Sequence, residues 1–390
     1  MIRPKSASTV VSVIIPAFNV ENWIEQCLES VVAQSYPNLE IIIIDDGSSD
    51  STPSIIDRFK ISDSRIRVIY QTNQGLSAVR NRGIQSSTGS FILFLDSDDW
   101  IHLDTVSDAV RIIDEHTPDV VMMRCAKYFE GDGNWSDGTD DFYWRSLNLI
   151  EPEIHTAKET PAILALYPLA PLKLLSKSFL TKNGLKFLEG LKYEDNPFHV
   201  ELFSLNPSYA FLGRRFYAWR QGRPGQITAE PHLSDCITAV MEMLGTGKNL
   251  DSNAFPYLII AITRLICGVA KCIECNWQRQ LFLASSVQLV CERITPGDLC
   301  RALAYVTPPN PLHPGDIVLV KTLFSSPRSL ANALGSGSTR YRGVLETTWA
   351  ATGSPSLIRR LSNLGYLIRN YRELVRYANG MGEEIVTGLG

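Results

Sequence analysis

Phe91-Ile-Leu-Phe-Leu-Asp-Ser-Asp-Asp-Trp100 joins an apolar run directly to three carboxylates. An apolar run of this length with polar boundaries predicts a buried central strand of a parallel sheet. Asp96, Asp98 and Asp99 then stand just past its carboxyl end, the edge at which open α/β sheets take ligands. Three acidic groups this close repel one another unless a cation, a set of donors or full solvation offsets the repulsion. Two readings stand side by side. A hard divalent ion, Mg²⁺ or Mn²⁺, suits oxygen ligands with no Cys among them and completes its shell from water and phosphate. An Asp-rich loop that caps the following helix explains the same residues without any ion.

Moving outward, Val10 to Pro16 is a β-branched run ended by proline and predicts the first buried strand. Asn19 is placed to cap a helix through Val32. Leu39 to Asp50 repeats the opening pattern: an apolar run stops at Asp45-Asp46, and Gly and hydroxyl residues lead to a helix over Thr52 to Phe59. Ile66 to Tyr70 is a short strand, Gly75 to Ile84 a loop and helix carrying Arg80 and Arg82, Asp104 to Glu115 a helix, and Asp119 to Arg124 a strand. Strand and helix alternate as in right-handed βαβ crossovers, so parallel strands bring both acidic clusters to one edge. Neither GxGxxG after the first strand nor GxxxxGK[ST] occurs, which excludes a dinucleotide-binding Rossmann domain and a P-loop by motif. Carboxylates in place of a glycine-rich cradle point to a nucleotide held partly through a metal.

Farther on, Gly131 to Asp141 is a Gly and Asp-rich turn without the terminal Glu of a calcium loop. Asn183-Gly184 marks a helix end, and Glu194-Asp195 opens the next helix, where the macrodipole favours acids. Phe216 to Thr228 predicts a strand running into a Gly-rich loop with Arg220 and Arg223. Those arginines are either a mobile clamp for a diphosphate or solvated side chains. From Leu233 the pattern turns helical: Asp235 to Leu244, Pro256 to Cys275, Trp277 to Ile294 and Pro296 to Tyr305, with linker-like breaks at Pro308 to Pro314 and Gly335 to Ser338. Cys272 and Cys275 form a CxxC with no second pair, read as part of a helix with reduced thiols. Pro355 to Tyr377 is an amphipathic helix rich in arginine, suited to an anionic membrane surface or to packing on protein.

A chain of 390 residues suits two domains, and 45% hydrophobic with 20% charged residues describes an ordinary globular protein. A formal net charge of -4 argues against a general nucleic-acid binder. No signal-peptide core follows Met1, and the apolar segment Tyr257 to Val269 is interrupted by Arg264 and too short to span a bilayer, so the expected location is cytoplasmic, at most on the inner face of the membrane.

Val11-Ser-Val-Ile-Ile-Pro-Ala-Phe-Asn19, Ile44-Asp-Asp-Gly-Ser-Ser-Asp50, Asn73-Gln-Gly-Leu-Ser-Ala-Val-Arg-Asn-Arg-Gly83 and Leu95-Asp-Ser-Asp-Asp-Trp100 together resemble the ordered motifs of the family 2 inverting glycosyltransferases with the GT-A fold. Tyr193-Glu-Asp-Asn-Pro-Phe198 is similar to the family's Glu-Asp motif, and Tyr217 to Thr228 to its closing loop. The resemblance covers residues 9–230. It implies a mostly parallel, doubly wound nucleotide-binding sheet (9–125) and an acceptor side (126–230), and the helical pattern read above makes 231–390 a mainly helical region beyond it. It implies that Pro16 and Ala17 line the nucleoside pocket, that Asp46 contacts the base and that Arg80 lies near the diphosphate or donor sugar. Asp96 and Asp98 become the DxD element with Asp98 the chief ligand of Mn²⁺ or Mg²⁺, Arg220 or Arg223 closes on the diphosphate, and Asp195 is the base with Glu194 orienting it or binding acceptor. The implied partners are a nucleotide-sugar donor, of UDP type, and a glycan, lipid-linked or small-molecule acceptor, with peripheral membrane contact or a homodimer through the C-terminal helices. Where many relatives carry Trp and Asn, this chain has Ala170-Pro-Leu-Lys173, which leaves the acceptor open. Two rival readings are a sugar nucleotidyltransferase, whose Gly-rich basic loop is replaced here by Ala17-Phe-Asn-Val20, and an inactive scaffold, against which the intact Asp96, Asp98 and Asp195 speak.

Overall fold

The computed structural model describes residues 9–137, 140, 143–144, 153–226, 230–294, 316, 319–320 and 323–324. The helices expected at 296–305 and 355–377 and the linkers at 308–314 and 335–338 lie outside the described residues. The chain divides into two compact units, one of Met1–Glu159 with Tyr167–Pro224 and one of Thr160–Leu166 with Gly225–Gly390.

The first unit begins with β1 (Val11–Ala17), α1 (Ile24–Val32), β2 (Leu39–Asp45), α2 (Thr52–Ser62), β3 (Ile66–Tyr70), α3 (Leu76–Ser86) and β4 (Phe91–Phe94). It continues through β5 (Trp100–Ile101), α4 (Thr105–His116), β6 (Val120–Phe129), β7 (Trp135–Asp137), β8 (His155–Thr156), β9 (Lys173–Ser176), α5 (Lys177–Asn183), α6 (Asp195–Ser204) and β10 (Ser208–Gln221). The sheet runs β3-β2-β1-β4-β9-β6-β10-β5, with β7 on β6 and β8 on β10. All seven residues of β1 are buried, as a β-branched strand covered on both faces must be. Its parallel register pairs Ala17 with Asp45 and Ile14 with Phe94, so β2 and β4 release their acidic residues at one edge. The close approach of the segment before β4 to β1 needs Gly89, where a Cβ would lie 2.7 Å from the Val10 carbonyl and 2.8 Å from the Ser12 nitrogen.

Two expectations are corrected here. The strand at 91–94 has β1 parallel on one side but β9 antiparallel on the other, and β9 also runs antiparallel to β6. The sheet is therefore mixed: β9, which follows a 3-10 turn at Ala170–Leu172, runs antiparallel to both of its neighbours, as inserted strands of large α/β sheets commonly do. Asn19 does not cap α1: it sits in the left-handed region (φ 50) and accepts the Ser49 backbone N–H at 2.8 Å, tying the two loops together five residues before the helix starts at Ile24. The predicted turn at Asn183-Gly184 is observed, with Gly184 left-handed at the end of α5.

In the second unit a 3-10 turn at Pro161–Ala165 accompanies α7 (Leu233–Gly247), α8 (Phe255–Cys272) and α9 (Asn276–Arg293). The CxxC does not lie within one helix, since α8 ends at Cys272 and Cys275 precedes α9; the described cysteines are unbonded. α8 covers 18 residues, close to the Pro256 to Cys275 helix expected, and, against the expectation that Tyr257 to Val269 is too short, it is long and apolar enough to cross a membrane by length and composition. Two thirds of it is buried inside the protein, as in a packed core helix, and Arg264 is paired with Asp316 at 2.7 Å.

Candidate active site at the carboxyl edge of the sheet

The edge beyond β1 and β2 is tightly bonded. Pro16 and Ala17 are buried, and the residues that reach solvent after them are Phe18 and Asn19. Phe18, 47% exposed beside the Asp45-Asp46 turn, is an aromatic face that sequence reading passed over. Asp46 is also buried, and its carboxylate is engaged: Oδ1 accepts from Gln71 Nε2 at 2.7 Å and Gln74 N at 2.9 Å, and Oδ2 accepts from Gly75 N at 2.8 Å. Its observed task is to hold the loop that leads into α3.

Arg80, expected near the diphosphate or donor sugar, is bound to the acidic turn after β4. It is 1% exposed on the buried face of α3, sandwiched near the rings of Phe94 and Phe187. Its Nη1 donates to Glu194 Oε1 at 2.7 Å and Asp195 Oδ1 at 2.8 Å, and its Nη2 to Asp96 Oδ1 at 2.9 Å. Burial works against the guanidinium charge, but Asp195, Asp96 and Glu194 outweigh it and hold the proton more firmly than usual. One planar fork thus joins the acidic turn after β4 to the carboxylate pair at the start of α6.

The acidic turn is lashed to β10. Asp99 accepts from the Tyr217 hydroxyl at 2.5 Å and from the Arg220 backbone N–H at 2.7 Å, and burial with the nearby Asp98 and Asp96 charges raises its pKa well above the carboxylate range. Arg220 is not on a mobile loop. It lies within β10, 5% exposed, donating Nε to the Asp98 carbonyl at 2.7 Å, pairing with Glu130, and lying 4.8 Å from the Trp100 ring centre. Arg223, two residues past the strand and between the left-handed Gly222 and Gly225, pairs through Nε with the Asp98 carboxylate and lies over Trp23 at 4.8 Å. Burial pushes the Asp98 pKa up, Arg223 opposes the shift, and Asp96 adds to it.

Glu194 and Asp195 are buried at the start of α6, immediately after Tyr193, whose φ of 62 is rare for a non-glycine residue. Burial raises both pKa values; Asp195 adds to the shift at Glu194, and Arg80 resists at each. Tyr217, Glu130 and Lys173 join this network although no spacing in the sequence announces them.

A hard cation suits the donor set. Asp98 and Asp96 offer oxygen only, and the Asp96 side chain is 30% exposed. Among the described residues no group of three or more His, Cys, Asp or Glu side chains is arranged to hold a metal by itself. One or two carboxylates completed by phosphate and water is a usual Mg²⁺ arrangement, so the residues fit such an ion.

The same fold occurs in solved structures. Staphylococcus aureus TarS 1-349 in complex with UDP-GlcNAc matches with TM-score 0.62 at 20% identity over 86% of this chain and 92% of that one. The sheet is thus that of the GT-A fold. The family model for glycosyl transferase family 2 matches residues 12–164. Glycosyltransferase GlyG of Streptococcus pneumoniae is 30% identical over 254 residues, 60% of this chain and 83% of GlyG. Glycosyltransferase GlyA of the same organism is 30% identical over 243 residues, 62% of this chain but 35% of GlyA, so the matched part is about a third of that relative. The chain belongs to glycosyl transferase family 2.

Proposed function

We propose that this chain is an inverting glycosyltransferase that moves one sugar from a UDP-sugar to a hydroxyl of a glycan, lipid-linked or small-molecule acceptor in surface-glycan or glycoconjugate biosynthesis. The observation that carries the reading is the Arg80 fork, which ties a donor-side carboxylate, Asp96, to a second acidic pair, Glu194 and Asp195, from a distant segment. Inversion needs one base on the acceptor's side of the sugar, separate from the group that meets the diphosphate. Asp195 fills the first role and the turn at Asp96 to Asp98 the second.

The ligands of fold neighbours support the ligand class. TarS, named a poly(ribitol-phosphate) beta-N-acetylglucosaminyltransferase, is described in complex with UDP-GlcNAc. A mannosyltransferase from Pyrobaculum calidifontis, TM-score 0.50 at 16% identity, is described with GDP-Man and Mn²⁺. In this reading Phe18 offers a face to the nucleobase, and Asp46 acts on the nucleoside through the loop it holds. Mn²⁺ or Mg²⁺ on Asp98 and Asp96, when bound, supplies charge for the departing diphosphate. Arg223 then leaves Asp98 for the diphosphate oxygens, which guanidinium pairs in two-pronged fashion. Arg220 remains the buried strut beneath that loop. Asp195 takes the acceptor proton; Arg80 opposes the burial that would otherwise keep the carboxyl protonated.

The test is calorimetric titration with UDP with and without Mn²⁺, followed by hydrolysis of UDP-GlcNAc and other UDP-sugars by the wild type and Asp195→Asn. The reading predicts metal-dependent UDP binding in both proteins and turnover in the wild type alone. Failure to bind UDP or any other nucleoside diphosphate would sink the donor site.

A further inference from the structure

Lys173, the first residue of β9, has no exposed surface, and the hydrogen bonds of its ammonium run to main-chain carbonyls: Nζ donates to Pro168 O and to Leu169 O, each at 2.8 Å. Burying an ammonium with neutral partners is expensive, and an apolar side chain of similar length could fill the space at lower cost. The geometry around it supplies a reason for the charge. The Leu169 carbonyl and the Ala170 N–H belong to one peptide group. The carbonyl accepts from Lys173, and the N–H at the other end of the peptide acts on the Asp195 carboxylate, favouring its ionised form. The same carbonyl also receives Leu172 N at 3.2 Å, closing the 3-10 turn that presents Ala170. Ammonium and peptide are hydrogen-bonded to each other, and a donor at the carbonyl end polarises the N–H at the end that acts on the carboxylate.

We infer that Lys173 is a positioning residue that orients and charges the Leu169–Ala170 peptide so that its N–H holds the Asp195 carboxylate ionised and aimed. This rests on the reading of Asp195 as the base. The carboxylate sits among Arg80, Asp96, Glu194 and Lys173, and Lys173 in turn faces Asp195, Arg80 and Asp140. Arg80 divides its fork among three carboxylates, so a second cation reaching Asp195 from the opposite chain segment relieves an acidic excess. Burial lowers the Lys173 pKa to about 7, with Asp195 acting to retain the proton.

Two variants separate the components: Lys173→Met removes both charge and donor, and Lys173→Gln keeps an N–H for the carbonyls without the charge. With UDP-GlcNAc as the probe, Lys173→Met lowers kcat for donor hydrolysis on the order of tenfold at unchanged KM and moves the rising limb of the kcat–pH profile to higher pH. Lys173→Gln reproduces the shifted limb. A wild-type rate and wild-type limb in both would overturn the inference. A second measurement needs no turnover: the shift in urea midpoint caused by Asp195→Asn is compared in the wild-type and Lys173→Met backgrounds, or in Lys173→Gln should Lys173→Met fail to fold. A smaller shift in the variant background supports the coupling, and equal shifts contradict it. If the wild type hydrolyses no UDP-sugar, the proposed activity fails, and this cycle alone decides whether Lys173 acts on Asp195.

Discussion

Arg80 Nη1 lies 2.8 Å from Asp195 Oδ1 although 115 positions separate the two residues. The other nitrogen of the same fork reaches Asp96, so the acidic turn after β4 and the start of α6 cannot move independently. A fixed relation between these two groups is what the transfer reading requires, with the diphosphate on one side of the sugar and the acceptor hydroxyl on the other.

Arg80→Ala should lower the unfolding free energy by roughly 3–5 kcal/mol, because it leaves buried carboxylates without their cation. Arg80→Lys should recover only part of that, since a point charge cannot serve three carboxylates in the plane of a fork. Urea denaturation of the three proteins measures both effects. A loss below about 1 kcal/mol for Arg80→Ala, the range of an exposed ion pair, would mean the cluster is solvated and the fork is not a structural link.

Arg223 pairs with the carboxylate of Asp98, and in the proposed mechanism a divalent ion competes with it for that group. Without nucleotide, Arg223→Gln should therefore bind Mn²⁺ more tightly than the wild type, as read from the electron paramagnetic resonance signal of free Mn²⁺. Asp98→Asn should abolish the gain in UDP affinity that Mn²⁺ confers, and EDTA should reproduce that loss in the wild type. Equal Mn²⁺ affinity in Arg223→Gln and wild type would remove the competition from the mechanism.

Tyr217→Phe deletes the hydroxyl that donates to Asp99 at 2.5 Å inside the protein. The abandoned carboxyl oxygen should cost roughly 1–3 kcal/mol. Asp99 also accepts the Arg220 N–H, so loosening it should weaken metal-dependent UDP binding while leaving the sheet intact. Thermal unfolding and calorimetry on one preparation separate the two effects. An unchanged melting temperature would show that the Tyr217 hydroxyl is dispensable.

Much of this architecture is legible in the sequence because β1, β2 and the run before Asp96 are unbroken apolar or β-branched stretches that end at polar residues. Their parallel pairing then follows from the helices between them. The rest is hidden for physical reasons. β5 and β8 have two residues each and β9 has four, too few for any period to appear. Arg80 and Arg220 look like surface arginines in a linear reading, since charge suggests exposure. Each is buried only because carboxylates from remote segments close around it, and partners separated by 16, 114, 115 or 90 positions leave no local trace. The same holds for Lys173, whose partners lie four and five residues away but only become acceptors once the 3-10 turn forms.

The buried charges also predict how stability responds to pH. Glu194 has its pKa raised by burial and by Asp195, so the folded protein holds this proton more firmly than the unfolded chain. Its contribution is fully present below the ordinary carboxylate range and is lost as pH rises through the folded value. Lys173 behaves in the opposite sense. Burial lowers its pKa from 10.5 to about 7, so between those values the unfolded chain binds more protons than the folded one and stability from this group rises with pH. Measured by urea unfolding from pH 7 to pH 10, the wild type should therefore gain stability relative to Lys173→Met, by up to a few kcal/mol if the lysine stays dry. The slope is diagnostic, whatever the offset left by the two carbonyls that lose their donor, because those carbonyls do not titrate. A stability difference between the two proteins that stays flat across this range would mean that Lys173 keeps an ordinary pKa, and hence that water reaches the ammonium beside Asp195.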